Sequence, residues 1–226
     1  MQDLPSDILG KLATFCPVSS CWSLSRTCKH AYLSINKKIY SIFEKQFLRE
    51  VFWKEFQHNL YIDFFLEKLE ITTYVYSGSL VWSTLLGVNW ENQDIDIFSS
   101  DIVGSFNHNS WLLTTPNKTK FAIGYSGYTV SGYIYPLVTI KVRSDGSSLI
   151  LKFADIISCG DKSIHNRINE FDMVGCSNYF DPNGKILYIA DAKNTLFKRT
   201  EKRLVDGNTP TFERMGKYAA RGITFI

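Results

Sequence analysis

The sequence predicts an α+β fold in which helices come first and a mixed sheet with C-terminal helices follows. Three observations predict this order. Apolar residues recur at three- and four-residue steps through the first 70 positions, which is the period of an amphipathic helix. From Tyr74 onward, short apolar runs alternate with turn residues, as they do in strands. The segment from Phe212 to Ala220 then returns to a helical pattern.

Length and composition are those of a globular protein. The chain has 226 residues, of which 45% are hydrophobic, and a net charge of +3. Such a charge neither indicates nor excludes nucleic acid as a partner. No apolar stretch approaches the roughly 18 residues that span a bilayer, and the acidic start differs from a signal peptide. We therefore expect an intracellular protein, cytoplasmic or nuclear, without membrane contact.

Residues 1–40 predict three short helices. Pro5 precedes Ser6 and Asp7, a combination that begins helices, and Pro17 ends the first one. The first helix has an apolar stripe of Ile8, Leu9, Leu12 and Phe15. A module of this size does not bury enough apolar surface to be stable by itself, so we expect it to pack on a partner or on the rest of the chain.

The motifs of this segment resemble those of an F-box. They are Leu-Pro-x-Asp-Ile-Leu, a Phe-Cys-Pro break and Ser-Leu-x-x-x-Cys-Lys. The resemblance implies docking to a Skp-type adaptor and, through it, to a cullin ubiquitin ligase. The matching docking positions are Leu4, Pro5, Ile8, Leu9 and Leu24. The Trp that usually follows Cys-Lys in the family is replaced by Ala31-Tyr32. The alternative is a helical cap packed on the remainder of the chain.

Residues 41–70 predict further helices that brace this module against the sheet. Their aromatic and aliphatic residues recur at helical spacing, and we expect that stripe to be core; it consists of Phe43, Phe47, Val51, Phe52, Phe56 and Leu60.

The strongest functional signal is Ser77-Gly78-Ser79 followed by Asp94 and Asp96. The two carboxylates are separated by one apolar residue in a predicted strand, so both leave on the same face. Like charges about 5–7 Å apart repel and favour a bound cation, and carboxylate oxygens suit Mg²⁺ or Mn²⁺. Glycine lets backbone N–H groups approach a phosphate, and Ser79 adds a hydroxyl.

This arrangement resembles the nucleotidyltransferase superfamily over residues 71–226, most closely proteins of large DNA viruses. The resemblance implies a strand at Tyr74–Tyr76, a helix at Leu80–Leu86 and a second strand at Ile95–Phe98. For a viral protein it also implies location in the host cell. A C-terminal Arg-x-x-Lys-Tyr-x-x-Arg-Gly segment adds to it.

The superfamily also implies a third carboxylate on a later strand. Asp172 is the preferred candidate because Glu170 to Val174 predicts a strand, and Asp155 is the alternative. In this interpretation Asp94, Asp96 and Asp172 are catalytic and hold Mg²⁺ or Mn²⁺, while Gly78 and Ser79 bind the phosphates of an NTP.

Further elements complete the prediction. Tyr133–Val142 and Ser148–Phe153 predict a hairpin around Asp145-Gly146, and residues 196–204 predict a helix. On the last predicted helix, Arg214, Lys217 and Arg221 share one face and are candidates for phosphate contacts.

Three functions follow from these features. The first is an F-box adaptor that links a ubiquitin ligase to whatever the second domain recruits, with domains at 1–40, 41–70 and 71–226. The second is an active Mg-dependent nucleotidyltransferase acting on a protein, RNA or small-molecule hydroxyl. The third is a non-catalytic binding scaffold. The sequence leaves open whether catalysis is retained, because a fold alone does not determine function.

Overall fold

The chain adopts an α+β fold, as predicted. The computed structural model describes residues 6–27, 29–58, 61–91, 93–101, 111–114, 120–123, 128–129, 132–142, 148–203 and 210–226. Its helices are α1 (Ser6–Ala13), α2 (Val18–Ser25), α3 (Lys29–Asn36), α4 (Ile39–His58), α5 (Ile62–Lys68), α6 (Gly78–Leu86), α7 (Ile164–Ile168), α8 (Ala192–Thr195) and α9 (Phe212–Ala220), with a 3₁₀ helix at Val174–Ser177. None of the helices in these ranges is long and apolar enough to cross a membrane.

The strands form one large mixed sheet and a small separate pair. They are β1 (Tyr74–Ser77), β2 (Ile95–Ser99), β3 (Trp111–Thr114), β4 (Lys120–Ile123), β5 (Tyr128–Thr129), β6 (Gly132–Val142), β7 (Ser148–Ser158), β8 (Tyr179–Asp181), β9 (Ile186–Tyr188), β10 (Arg199–Thr200) and β11 (Thr224–Phe225). Over the described residues, the order in the large sheet is β3-β4-β6-β7-β2-β1-β8-β9, with β5 paired to β6. The pair β2–β7 is parallel, and the other neighbours are antiparallel.

Several predicted elements are confirmed. The three N-terminal helices are present, and the strand, helix and second strand around Gly78 are β1, α6 and β2. The predicted hairpin is the antiparallel pair β6–β7, although its turn at 143–147 lies outside the described residues.

Helix α4 packs on the sheet through its first half. The centre of the Phe47 ring lies 5.0 Å from the centre of the Tyr76 ring on β1 and 5.2 Å from that of the Phe180 ring on β8. The same buried cluster continues to Val18 on α2 and Ile35 on α3. One core therefore connects the N-terminal helices to the sheet across the predicted domain boundaries.

The second half of α4 differs from the prediction. Phe52 is 57% exposed and Phe56 67% exposed, so this part of the predicted core stripe faces outward. A 20-residue helix is about 30 Å long, and the sheet contacts described above involve only its first half. Leu60, the last residue of the stripe, lies outside the described residues.

Two predicted elements are wrong. The segment around Asp172 is not a strand: Met173 forms an isolated bridge with Lys202, and a 3₁₀ helix follows. The helix predicted at 196–204 does not form over residues 196–203, the part of it that the structure describes; this part contains strand β10, which pairs with β11. Lys198 has a φ of 58°, a left-handed conformation that ends the preceding helical turn.

Candidate metal site at the end of strand β2

Strand register brings distant residues into one row across the sheet. Ser77 on β1 is the partner of Asp96 on β2, and Asp96 is the partner of Asp155 on β7. Directly paired residues project from the same face of a sheet. The neighbours Ile95 and Ile97 project to the other face and are buried in the core. The row of polar residues therefore lies on the face opposite the main core.

Three carboxylates converge at this row. Asp94, just before β2, can place an oxygen within 4.8 Å of oxygens of both Asp96 and Asp155. Two full charges at 4.8 Å repel by roughly 3 to 4 kcal/mol at an effective dielectric constant of about 20. A divalent cation reverses the sign of that interaction. An all-carboxylate donor set favours Mg²⁺ or Mn²⁺ over metals that prefer sulfur or imidazole.

The third carboxylate of the group is Asp155, not Asp172, which was the preferred candidate in the sequence analysis. Parallel pairing of β2 and β7 puts Asp155 beside Asp96. Asp172 instead forms an ion pair with Arg214, whose Nε lies 3.0 Å from Oδ2 and 3.2 Å from Oδ1. The preference for Asp172 is therefore wrong, and the alternative candidate Asp155 lies with Asp94 and Asp96.

Gly78 makes room for the Asp96 carboxylate. Its φ is +80°, and a Cβ at this position would lie 2.0 Å from Asp96 Oδ2. No side chain can occupy that space without moving Asp96. This contact explains why the turn between β1 and α6 needs glycine and fixes the carboxylate beside the first residue of α6.

Ser79 connects the helix to the residue that precedes Asp94. It is buried, and its Oγ accepts a hydrogen bond of 3.3 Å from Gln93 Nε2. The Gln93 amide also donates to Ser83 Oγ at 3.1 Å, and Ser83 donates back to Oε1 at 3.2 Å. Ser79 thus supports the start of β2, a role that the sequence did not indicate.

Two cationic side chains, those of Lys54 and Arg214, interact electrostatically with the carboxylates. Lys54 on α4 donates to the Gln93 carbonyl. Burial lowers the pKa of Lys54, and the charges of Asp94 and Glu50 oppose that shift. Burial also disfavours the charged form of Arg214, yet the pKa of its guanidinium is raised because Cys176, Tyr218, Asp172 and Asp96 favour it.

The three basic residues predicted to share one face have different surroundings. Arg214 pairs with Asp172. Arg221 lies over the rings of Trp90, at 4.9 Å, and Tyr218, at 5.2 Å, and donates to the Glu91 carbonyl at 3.1 Å. Lys217 is exposed. Local spacing did not distinguish these three positions.

The predicted adaptor-docking residues divide between surface and interior. Ile8 and Leu24 are exposed, at 41% and 37%. Leu9 is buried, so its side chain is not presented to a partner. Leu4 and Pro5 lie outside the described residues.

Comparison with known proteins adds no assignment. The sequence matches no protein-family model, and it has no significant match among curated proteins.

Proposed function

We propose that the chain is a divalent-metal-dependent nucleotidyltransferase whose site consists of Asp94, Asp96 and Asp155 beside Gly78. The observation that carries the proposal is that the fold brings oxygens of these carboxylates within 4.8 Å of one another, beside Gly78, where a Cβ would clash with Asp96. Asp94 and Asp96 lie about 60 positions from Asp155 in the sequence, so the fold is what brings the three carboxylates together.

Each residue has a role in this proposal. Asp94, Asp96 and Asp155 would hold Mg²⁺ or Mn²⁺, which supplies charge neutralisation for a triphosphate and acidifies an attacking hydroxyl. Gly78 lets the Asp96 carboxylate approach the N-terminus of α6, a nine-residue helix, and the N–H groups of the first turn of this helix would attract the phosphates of the nucleotide. Ser79 and Gln93 hold that N-terminus against the strand that carries Asp96.

The test is calorimetric titration of the full chain with ATP, GTP, CTP and UTP, with and without Mg²⁺. We expect Mg²⁺-dependent binding of at least one nucleotide and its loss in the Asp94→Asn, Asp96→Asn double variant. Asp161→Asn, an exposed position, is the matched control and should bind as the unaltered chain does. Equal affinity in the double variant, or flat traces for all four nucleotides, would contradict the enzyme proposal and favour a binding scaffold.

A second proposal, docking to a Skp-type adaptor of a cullin ubiquitin ligase, is favoured by the surface of the N-terminal helices. Ile8, Leu12 and Phe15 are all exposed at three- and four-residue spacing on and just after α1, and Leu24 on α2 is exposed as well. Apolar side chains displayed by a small helical module are typical of a partner-binding surface. The two proposals are compatible, because docking could localise an enzyme.

Binding of a purified Skp-type adaptor to the full chain tests the second proposal. Ile8→Ser with Leu24→Ser should abolish binding, whereas Ile186→Ser, a comparably exposed apolar position on β9, should not. Absence of binding by the unaltered chain would leave α1–α3 as a helical cap.

A further inference from the structure

We propose that Arg214 is the residue that binds the polyphosphate of the nucleotide, and that Asp172 is its positioning residue rather than a metal ligand. The inference rests on the proposed nucleotidyl-transfer site and deepens it. It assigns phosphate binding to Arg214 and not to Lys217 or Arg221, and it gives Asp172 a role outside the group of three carboxylates.

A series of contacts connects the carboxylate row to α9. Ser77, the row partner of Asp96, donates through Oγ to the Asn178 carbonyl at 2.7 Å and lies 3.2 Å from the Cys176 carbonyl. Cys176 Sγ in turn lies 3.2 Å from the Tyr218 hydroxyl on α9. The guanidinium carbon of Arg214 lies 5.9 Å from the centre of the Tyr218 ring. A continuous set of contacts therefore leads from the carboxylate row to Arg214.

Charge interaction agrees with this placement. Burial works against the charged form of Arg214, but Cys176, Tyr218, Asp172 and Asp96 together raise the pKa of the guanidinium. Asp96 is one of the three grouped carboxylates. Arg214 therefore interacts electrostatically with a carboxylate of the proposed site.

The ion pair with Asp172 orients the guanidinium through one nitrogen. Nε makes both contacts with the Asp172 carboxylate, at 3.0 Å to Oδ2 and 3.2 Å to Oδ1. The two terminal nitrogens carry four further N–H donors, which match the oxygens of a phosphate in a two-point contact. The Arg214 side chain is 40% exposed, so part of it is accessible to a ligand.

Neither Arg221 nor Lys217 combines an accessible side chain with an ion pair that orients it among the described residues. Arg221 is packed on Trp90 and Tyr218, and its Nη1 is buried, so it stabilises the packing of α9. Lys217 is exposed, and among the described residues it has no ion pair that would orient it. Lys217 is therefore the matched control for loss of one positive charge on the same helix.

The experiment compares two probes, Mn²⁺ alone and inorganic tripolyphosphate with Mg²⁺, on folded full-length variants. Arg214→Gln should weaken tripolyphosphate binding by about tenfold or more and leave Mn²⁺ binding unchanged. Arg214→Lys, which keeps the charge but not the two-point contact, should be intermediate. Asp172→Asn should also weaken tripolyphosphate binding without affecting Mn²⁺, Asp172→Glu should restore part of it, and Lys217→Gln should match the unaltered chain.

The outcomes separate this inference from the function on which it rests. Unchanged tripolyphosphate affinity in Arg214→Gln would overturn the role of Arg214, even if Asp96→Asn abolishes metal binding. Loss of Mn²⁺ binding in Asp172→Asn would overturn the positioning role and make Asp172 a ligand. If the unaltered chain binds neither probe, the proposed function fails as well.

Discussion

Replacing Gly78 with alanine tests the close contact between α6 and the Asp96 carboxylate. The added Cβ would lie 2.0 Å from Asp96 Oδ2, so the carboxylate must move. Gly78 also has a φ of +80°, and a non-glycine residue in a left-handed conformation costs about 1–2 kcal/mol. We therefore expect two effects, a loss of stability of about that size and a loss of metal affinity.

Gly222→Ala separates the two effects. Gly222 has nearly the same φ, +79°, but nothing lies within 4 Å of the position of its Cβ. Urea unfolding should give both variants a similar loss from backbone strain, about 1–2 kcal/mol, with any excess in Gly78→Ala due to the clash. Disturbing groups that hold a metal ligand in place lowers affinity by about 10- to 100-fold, so Mn²⁺ titration should show at least that loss for Gly78→Ala alone. If Gly78→Ala binds Mn²⁺ as tightly as Gly222→Ala, Asp96 is not fixed over Gly78 or is not a ligand.

Three further predictions concern the framework. Phe47→Ala should lower the free energy of unfolding by about 3–5 kcal/mol because its ring is fully buried. Phe52→Ala, at an exposed position, should change the free energy of unfolding by less than about 1 kcal/mol. Similar urea midpoints for the two variants would contradict the assigned core. Ser77→Ala should cost about 1–3 kcal/mol in the same assay, since the Asn178 carbonyl loses its 2.7 Å hydrogen bond, and an unchanged midpoint would exclude that bond. Burial raises the pKa of the Cys176 thiol from 9.0 to about 11, so the stability contributed by the neutral thiol is complete below pH 9 and is lost as the pH rises towards 11. Cys176→Ala should flatten this decline in the free energy of unfolding at alkaline pH. An identical pH profile in the variant would refute the raised pKa of Cys176.

Local sequence signals predicted the elements that depend on neighbouring residues. The glycine turn between β1 and α6 and the alternation of Asp94, Ile95, Asp96 and Ile97 are contained within about 20 positions. Each has a short-range physical cause, namely backbone conformation at glycine and alternation along a strand.

The elements that were predicted wrongly depend on distant partners. The choice between Asp155 and Asp172 is made by the parallel pairing of β2 with β7, strands separated by about 50 positions in the chain. Parallel pairing across such a distance leaves no local sign in the sequence.

Side-chain hydrogen bonds and C-terminal pairing account for the two misassigned segments. The Asn178 amide binds the Gly175 carbonyl and accepts a bond of 2.9 Å from Ala190 N, which favours a turn after Asp172 over a strand. Residues 199–200 pair with 224–225, which overrides the helical spacing of the basic residues between 198 and 203. In both segments tertiary contacts outweighed local propensity.

Electron paramagnetic resonance titration of Mn²⁺ tests the central claim most directly, because it detects metal binding without assuming a nucleotide or an acceptor. We expect saturable binding by the unaltered chain and by Asp161→Asn, and its loss in Asp155→Asn. Equal Mn²⁺ affinity in Asp155→Asn and the unaltered chain would contradict the claim that Asp94, Asp96 and Asp155 form a metal site.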